Sequence, residues 1–153
     1  MTRKASPSVN LGILPNLVGF HLRMAQTMVF KDFEREFAEL DLTPAAFGVL
    51  EILNHNKGLT QTRLAVAIGL DRSSLVPLLD KLQKRQLIAR EASTNDRRSN
   101  HLHLSLQGAQ LLAEAERRVA LHEQRMLTSL SKSETRQLSA LLVKLGENRD
   151  SVS

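Results

Sequence analysis

Apolar residues recur along this chain with two different periods, and the change of period marks its organisation. From Leu11 to Leu40 no Gly or Pro cluster is strong enough to stop a helix. Leu14, Val18, Leu22, Ala25, Val29, Phe33 and Phe37 fall there at helical spacing. Pro15 suits a first helical turn, where a missing N–H costs little. A helix of about 25 residues would run roughly 40 Å, which is long for a lone surface helix, so a partner packed along it is expected. Leu42-Thr43-Pro44 opens a second helix, with Thr43 as cap and Pro44 at the first helical position. Phe47, Leu50, Ile52 and Leu53 make it apolar before it fades in Asn54-His55-Asn56-Lys57-Gly58. A third helix, Thr60–Ile68, is stopped by Gly69; a fourth, Asp71–Gln86, carries the stripe Leu75, Leu78, Leu79 and Leu82.

The period then changes. Leu87, Ile88 and Ala89 lead into the polar stretch 93–100, and His101-Leu102-His103-Leu104-Ser105-Leu106 alternates with period two. The expected element is a β-hairpin with a long basic tip. Helical spacing returns at Gly108, Leu112, Ala115, Val119, His122 and Met126. Ser131-Lys132-Ser133-Glu134 has the form of a capping box ahead of a last helix striped by Leu138, Leu141, Leu142 and Leu145. The chain thus reads as mainly α with a small β-wing. Its middle is a helix-turn-helix, turned at Gly69-Leu70-Asp71 and followed by the wing.

Composition narrows the classes. The 153 residues suit one domain, or one domain with dimerisation helices attached. An apolar share of 42% excludes wholesale disorder. The absence of cysteine excludes a disulfide scaffold, a thiolate zinc site and a thiol redox sensor. No apolar run is long enough to span a bilayer and the first ten residues have no signal-peptide core, so a cytoplasmic protein is expected. The formal net charge is +5, and the stretch 60–101, with eight basic and four acidic residues, holds +4 of it. That concentration is the footprint of a phosphate-binding surface or, on charge alone, an ordinary solvated face. No Ser/His/Asp spacing, phosphate loop or carboxylate cluster suggests an enzyme. His101 and His103 share a strand face without a carboxylate pair beside them, so no metal site is expected.

The chain resembles the MarR family of winged helix-turn-helix regulators. The likeness is carried by Leu42-Thr43-Pro44 with Phe47, by Leu64-Ala65, by Ile68-Gly69-Leu70-Asp71-Arg72-Ser73-Ser74-Leu75, by Leu79-Asp80-Lys81-Leu82 and by Asp96-Arg97-Arg98-Ser99. It spans about Leu11 to Leu145. It implies a homodimer whose first and last helices interlock, each protomer offering one winged helix to double-stranded DNA. The implied division is a flexible arm over 1–10, in which Arg3 and Lys4 could touch DNA, dimerisation helices over 11–40 and 106–149, and a DNA-binding domain over 41–105. A narrower likeness, in 18–26 and 71–80, is to regulators of aromatic-acid degradation. It implies a repressor released from an inverted-repeat operator by an aromatic acid or its coenzyme A thioester. The alternative is an architectural DNA-binding dimer without ligand control.

On that frame the fourth helix is the recognition helix, its N-terminal residues entering the major groove. Arg72 is long enough to grip a guanine edge with two hydrogen bonds. Ser73 and Ser74 would bond bases or phosphates, or else simply cap the helix. The Pro77 ring, on the non-core face, could touch a thymine methyl. Thr60, Gln61 and Arg63 suit phosphate contacts at a helix N-terminus, and Lys81 and Lys84 suit solvent or phosphate. Arg97 and Arg98 could enter the minor groove, with one of them pairing instead with Asp96.

For the effector, Phe20, Met24, Met28 and Phe47 with His21 and Arg23 would give an apolar pocket bearing two polar groups. Arg23 could pair a carboxylate or phosphate, and His21 is either a ligand contact or a hydrogen-bonded interface histidine. Phe30, Phe33 and Phe37 read as core or dimer packing. Arg35, Arg117 and Arg118 are further candidates for a thioester's phosphates. His122, on the apolar stripe of its helix, reads as a satisfied core or pocket-wall residue.

Overall fold

A computed structural model describes residues 9–92 and 100–147. Six helices and a three-stranded sheet follow in the order α1 (Val18–Phe37), α2 (Pro44–His55), β1 (Leu59–Thr60), α3 (Gln61–Ile68), α4 (Arg72–Lys84), β2 (Ile88–Ala92), β3 (Asn100–Leu104), α5 (Leu106–Met126) and α6 (Lys132–Glu147). The mainly α architecture with a small β-wing is the one expected. Arg3, Lys4, Asp96, Arg97 and Arg98, which were expected to touch DNA or fix the wing tip, lie outside the described residues.

The first helix is shorter than the sequence pattern predicts. Leu14–Asn16 forms a separate 3₁₀ turn containing Pro15, and Leu17 is extended at φ −101°, ψ 123° before α1 begins. At the other end Ala38–Leu40 tightens into a second 3₁₀ turn that closes on Asp41, whose backbone is left-handed at φ 46°, ψ 49°. β1 was not predicted at all. Two residues are too few to show a period, and Thr60 serves both as strand and as the cap of α3, accepting from the Arg63 N–H at 3.4 Å.

Elsewhere the local chemistry sets the boundaries as read. Thr43 caps α2 through the Ala46 N–H at 3.2 Å. Gly69, at φ 69°, ends α3 in a Schellman pair, Gly69 N–H to the Val66 carbonyl and Leu70 N–H to that of Ala65. The capping box ahead of α6 is reciprocal: Ser131 N–H donates to Glu134 Oε2 at 2.8 Å and Glu134 N–H to Ser131 Oγ at 3.3 Å.

β3 is the centre of an antiparallel sheet of order β1-β3-β2, with Leu59 opposite Leu102 and Ile88 opposite Leu104. Leu102 turns inward onto a core built from Leu50 and Val49 of α2, Leu64 of α3, Leu75, Leu79 and Leu82 of α4 and Leu112 of α5. α1 joins that core through Phe33 and Phe37, whose rings stack at 3.8 Å. Along the same seam His122 of α5 is 2% exposed. Its Nδ1 lies 2.8 Å from Asp32 Oδ2, and its ring stands edge-on to Phe33, so it is the satisfied core histidine the stripe suggested. That contact and the flanking cations Arg35 and Arg125 hold the Asp32 carboxyl below the usual carboxylate range. Arg118 and Arg125 reach from α5 to Glu39 and Glu36 of the α1 end.

Candidate nucleic-acid interface

Asp71 begins the site. Its Oδ1 accepts from the Ser74 N–H and from the Ser73 hydroxyl, both at 2.7 Å. The carboxylate, not either serine, is therefore the N-cap of α4, and Ser73 leans on it. Those bonds, Ser73's first, pull the Asp71 carboxyl below its ordinary range. A native-state carboxyl held low adds stability in full above the pKa it has unfolded, about 3.9. That stability is lost as pH falls through the folded value. Asp71→Asn, which still caps, is expected to keep the melting temperature at pH 7 and to flatten its decline on acidification. Asp71→Ala is expected to lower it at pH 7 by roughly 2–4 °C. Thermal unfolding of the three proteins between pH 3 and 7 checks both.

With Asp71 fixing its start, α4 sorts its residues cleanly. Leu75, Leu79 and Leu82 are buried, while Arg72, Ser73, Ser74, Pro77, Asp80, Lys81 and Lys84 stand exposed. Pro77 has no N–H, so the Ser73 carbonyl one turn back lacks its helical donor on that open face. Arg72 and Arg63 make no ion pair with any described residue, which leaves both guanidinium groups available to an anion. Lys81 is different. Its Nζ donates to Asp41 Oδ1 at 3.0 Å, a contact that sequence spacing does not reveal across 40 residues. Thr60 is half-buried and committed to capping, Gln61 is half-buried, and Arg63 projects from the first turn of α3. The structure thus brings Gln61, Arg63, Arg72, Ser73, Ser74 and Pro77 onto the paired helices α3 and α4, with Thr60 at the cap of α3. Below them, the wing stem carries His101 Nδ1 2.6 Å from the Gly58 carbonyl and His103 Nε2 3.4 Å from Glu91 Oε2.

The residues expected around an effector divide into two groups. Phe20, His21, Arg23, Met24 and Met28 all lie in the first eleven residues of α1, where Met24 and Met28 are exposed and the Phe20 ring is edge-on to His21 at 5.6 Å. His21 Nε2 lies 2.7 Å from the Pro15 carbonyl, tying the 3₁₀ turn to α1. Phe47 packs instead near Phe33, 6.3 Å between centroids. At 1.5 Å per residue that places it roughly 20 Å along α1 from Phe20. Arg35 pairs with Asp32, Arg117 with Glu114, and Arg118 with both Glu114 and Glu39, so each is already neutralised locally. Arg23 has no carboxylate partner among the described residues. A cavity of about 310 Å³ opens elsewhere, between the end of α2, β3 and the start of α5, lined by Lys57, His103 and Leu104 among others.

Among the described residues, no helix is long and apolar enough to cross a membrane. The model of the MarR family matches residues 40–99, from the α1–α2 junction to the wing. The chain is 38% identical over 135 residues to a protein described as a putative transcriptional regulatory protein for the hcr operon of Thauera aromatica. That match covers 88% of this chain and 81% of the relative. Two solved structures of the transcriptional repressor CouR superpose closely. One, bound to a 23-mer DNA duplex, gives a TM-score of 0.86 at 38% identity, covering 91% of this chain and 99% of that one. The other, bound to p-coumaroyl-CoA, gives 0.84 at 36% identity over 91% and 98%.

Proposed function

The chain belongs to the MarR family of transcriptional regulators, and on that premise we propose that it is a homodimeric repressor of aromatic-compound catabolic genes, reading an inverted-repeat operator and released from it by an aromatic coenzyme A thioester. DNA binding, not catalysis, is its activity, and its place of action is the cytoplasm. The observation that carries the reading is the uncovered face of α4, where Arg72, Ser73, Ser74 and Pro77 stand ahead of a buried leucine stripe with the Arg72 guanidinium unpaired among the described residues. Arg72 reads a base edge, while Arg63 and the first turn of α3 hold phosphate. Arg97 and Arg98, in the sequence between β2 and β3, are assigned a minor-groove contact on the sequence resemblance alone.

Two uncovered apolar faces support the dimer. α6 exposes Leu138, Leu141, Leu142 and Leu145, and the start of the chain exposes Leu17, Val18, Leu22, Met24 and Met28. Large apolar surface of this kind marks an interface. The domain division follows: 11–40 and 106–149 join protomers, and 41–105 meets DNA. The effector residues favour the thioester over the free acid. Phe20, His21, Arg23, Met24 and Met28 line one stretch of α1 and Phe47 lies well along it, a spread that suits an elongated ligand. Arg23 offers that ligand's phosphates a cation free of described carboxylates.

Fluorescence anisotropy on a fragment of the chain's own upstream DNA tests the reading. Nanomolar binding is expected, steeply weakened by salt. p-Coumaroyl-CoA is expected to weaken it at least tenfold, and p-coumaric acid far less. Equal affinity for random DNA would favour the architectural alternative, and operator binding that neither compound alters would discard the effector.

A further inference from the structure

The last turn of α4 is gripped by the junction between α1 and α2. Arg85, half-buried at the C-cap of α4, donates from Nη2 to the Leu40 carbonyl at 2.8 Å and from Nη1 to the Asp41 carbonyl at 2.5 Å. The same Nη1 lies 3.5 Å from Asp41 Oδ2, and Lys81, one turn earlier, holds Asp41 Oδ1. Among the described residues these are the only side-chain hydrogen bonds between α4 and the segment 38–41. Asp41 itself is in the left-handed region, a conformation that costs a residue with a Cβ free energy and persists where surrounding contacts over-determine it. Here the carbonyl and both carboxylate oxygens of that one residue are taken up by α4. On its other side α4 is tied to the wing through Asp80 and Arg90 of β2, 2.6 Å apart.

We propose that Asp41 and Arg85 form a tether that fixes the angle of the recognition helix against the α1 arm, and with it the separation of the two recognition helices in the dimer. The inference rests on the homodimeric DNA-binding reading. α1 carries the dimer-forming apolar surface at one end and runs into residues 38–41 at the other, so a rigid link from that point to α4 passes the dimer geometry directly to the DNA-reading helix. A guanidinium suits the task because its planar fork holds the two carbonyls from separate nitrogens at fixed geometry with its charge beside the carboxylate, whereas an ammonium donates from a single nitrogen on a flexible stem. Arg85 and Asp41 are positioning residues; they need not touch DNA.

The chain contains no cysteine, so Gln83→Cys on the exposed side of α4 places one spin label on each protomer. Pulsed electron double resonance on the 153-residue chain, without DNA, is expected to give one narrow label-to-label distance distribution. Adding Arg85→Gln is expected to at least double its width with helix content unchanged by circular dichroism. Arg85→Lys should fall between. An unchanged distribution overturns the proposal whatever the operator or effector proves to be, and absence of any dipolar signal would overturn the dimer reading and the tether together. Should Arg85→Gln fail to fold, Asp41→Asn, which keeps both carbonyls and removes the carboxylate charge, is expected to broaden the distribution by a smaller amount, and no broadening there counts against the tether. On operator DNA, Arg85→Gln is expected to weaken binding about tenfold without changing the slope of log Kd against log salt. A slope reduced by about one per protomer would make Arg85 a phosphate contact and refute the positioning role.

Discussion

Replacing Gly108 by alanine is expected to destabilise the chain by about 3 kcal/mol, against the ordinary sign of a Gly→Ala change inside a helix. Gly108 lies in the first turn of α5, where Ser105 caps the helix by accepting the Gly108 N–H at 2.9 Å. Ser105 also donates its hydroxyl to the Gln86 carbonyl at 2.6 Å and its N–H to the Leu87 carbonyl at 3.0 Å. The end of α4, the start of α5 and the end of β3 are thereby knotted at one point, and the Leu87 carbonyl is pressed against the face of α5. A Cβ on residue 108 would sit 2.1 Å from that carbonyl oxygen and 2.8 Å from Leu104 Cδ1. The leucine can turn away, but the carbonyl cannot without loosening the Ser105 bond, so backbone must move. Gly146, in α6 with no atom of its own protomer within 4 Å of an added Cβ, is the control: alanine there is expected to be neutral or stabilising by up to about 1 kcal/mol. Urea unfolding midpoints of the two variants measure the contrast, and a Gly108→Ala protein within 0.5 kcal/mol of the parent would show that the close approach is not rigid.

Gly108 illustrates where the sequence is legible and where it is silent. It was readable as the first member of the α5 stripe, because the stripe is periodic; the reason it must be glycine lies in Leu87, 21 residues earlier, and no local pattern reports it. The same division runs through the fold. Caps were readable at Thr43, Asp71 and Ser131 because a short polar side chain just before an apolar run has a local electrostatic cause. The turn at Gly69 was readable for the same kind of reason, since a left-handed residue favours glycine. β1 was hidden because two residues cannot display alternation, and its partner β3 lies 40 residues on. In the site, Arg72 and Pro77 were legible as the non-core side of the leucine stripe. The pairing of Lys81 and Arg85 with Asp41 was not, because charge sequence does not say which opposite charge folding brings near. The effector residues show the converse limit. Phe20 and Phe47 look alike in composition, yet one stands on the open end of α1 and the other packs beside Phe33.

Arg72→Ala is expected to weaken operator binding at least a hundredfold and to erase the preference for one base pair in each half-site. Arg72 is the first helical residue after the Asp71 cap, exposed, with no described ion pair to break before it reaches DNA. A guanidinium forked onto a guanine edge is worth about 1–3 kcal/mol of discrimination, and a dimer carries two copies, so the losses combine. The contrast with Lys84→Ala separates reading from holding. Lys84 lies at the far end of α4, and losing a phosphate contact there weakens all sequences alike and lowers the salt slope by about one for each protomer. Anisotropy titrations of both variants on the operator, on operators changed at single positions and on random DNA, each at three salt concentrations, distinguish these outcomes. If Arg72→Ala weakened operator and random DNA by the same factor, the residue would hold backbone and not base. Specificity would then have to arise from DNA shape read by the wing, and the two-helix face of α3 and α4 would serve mainly to place that wing.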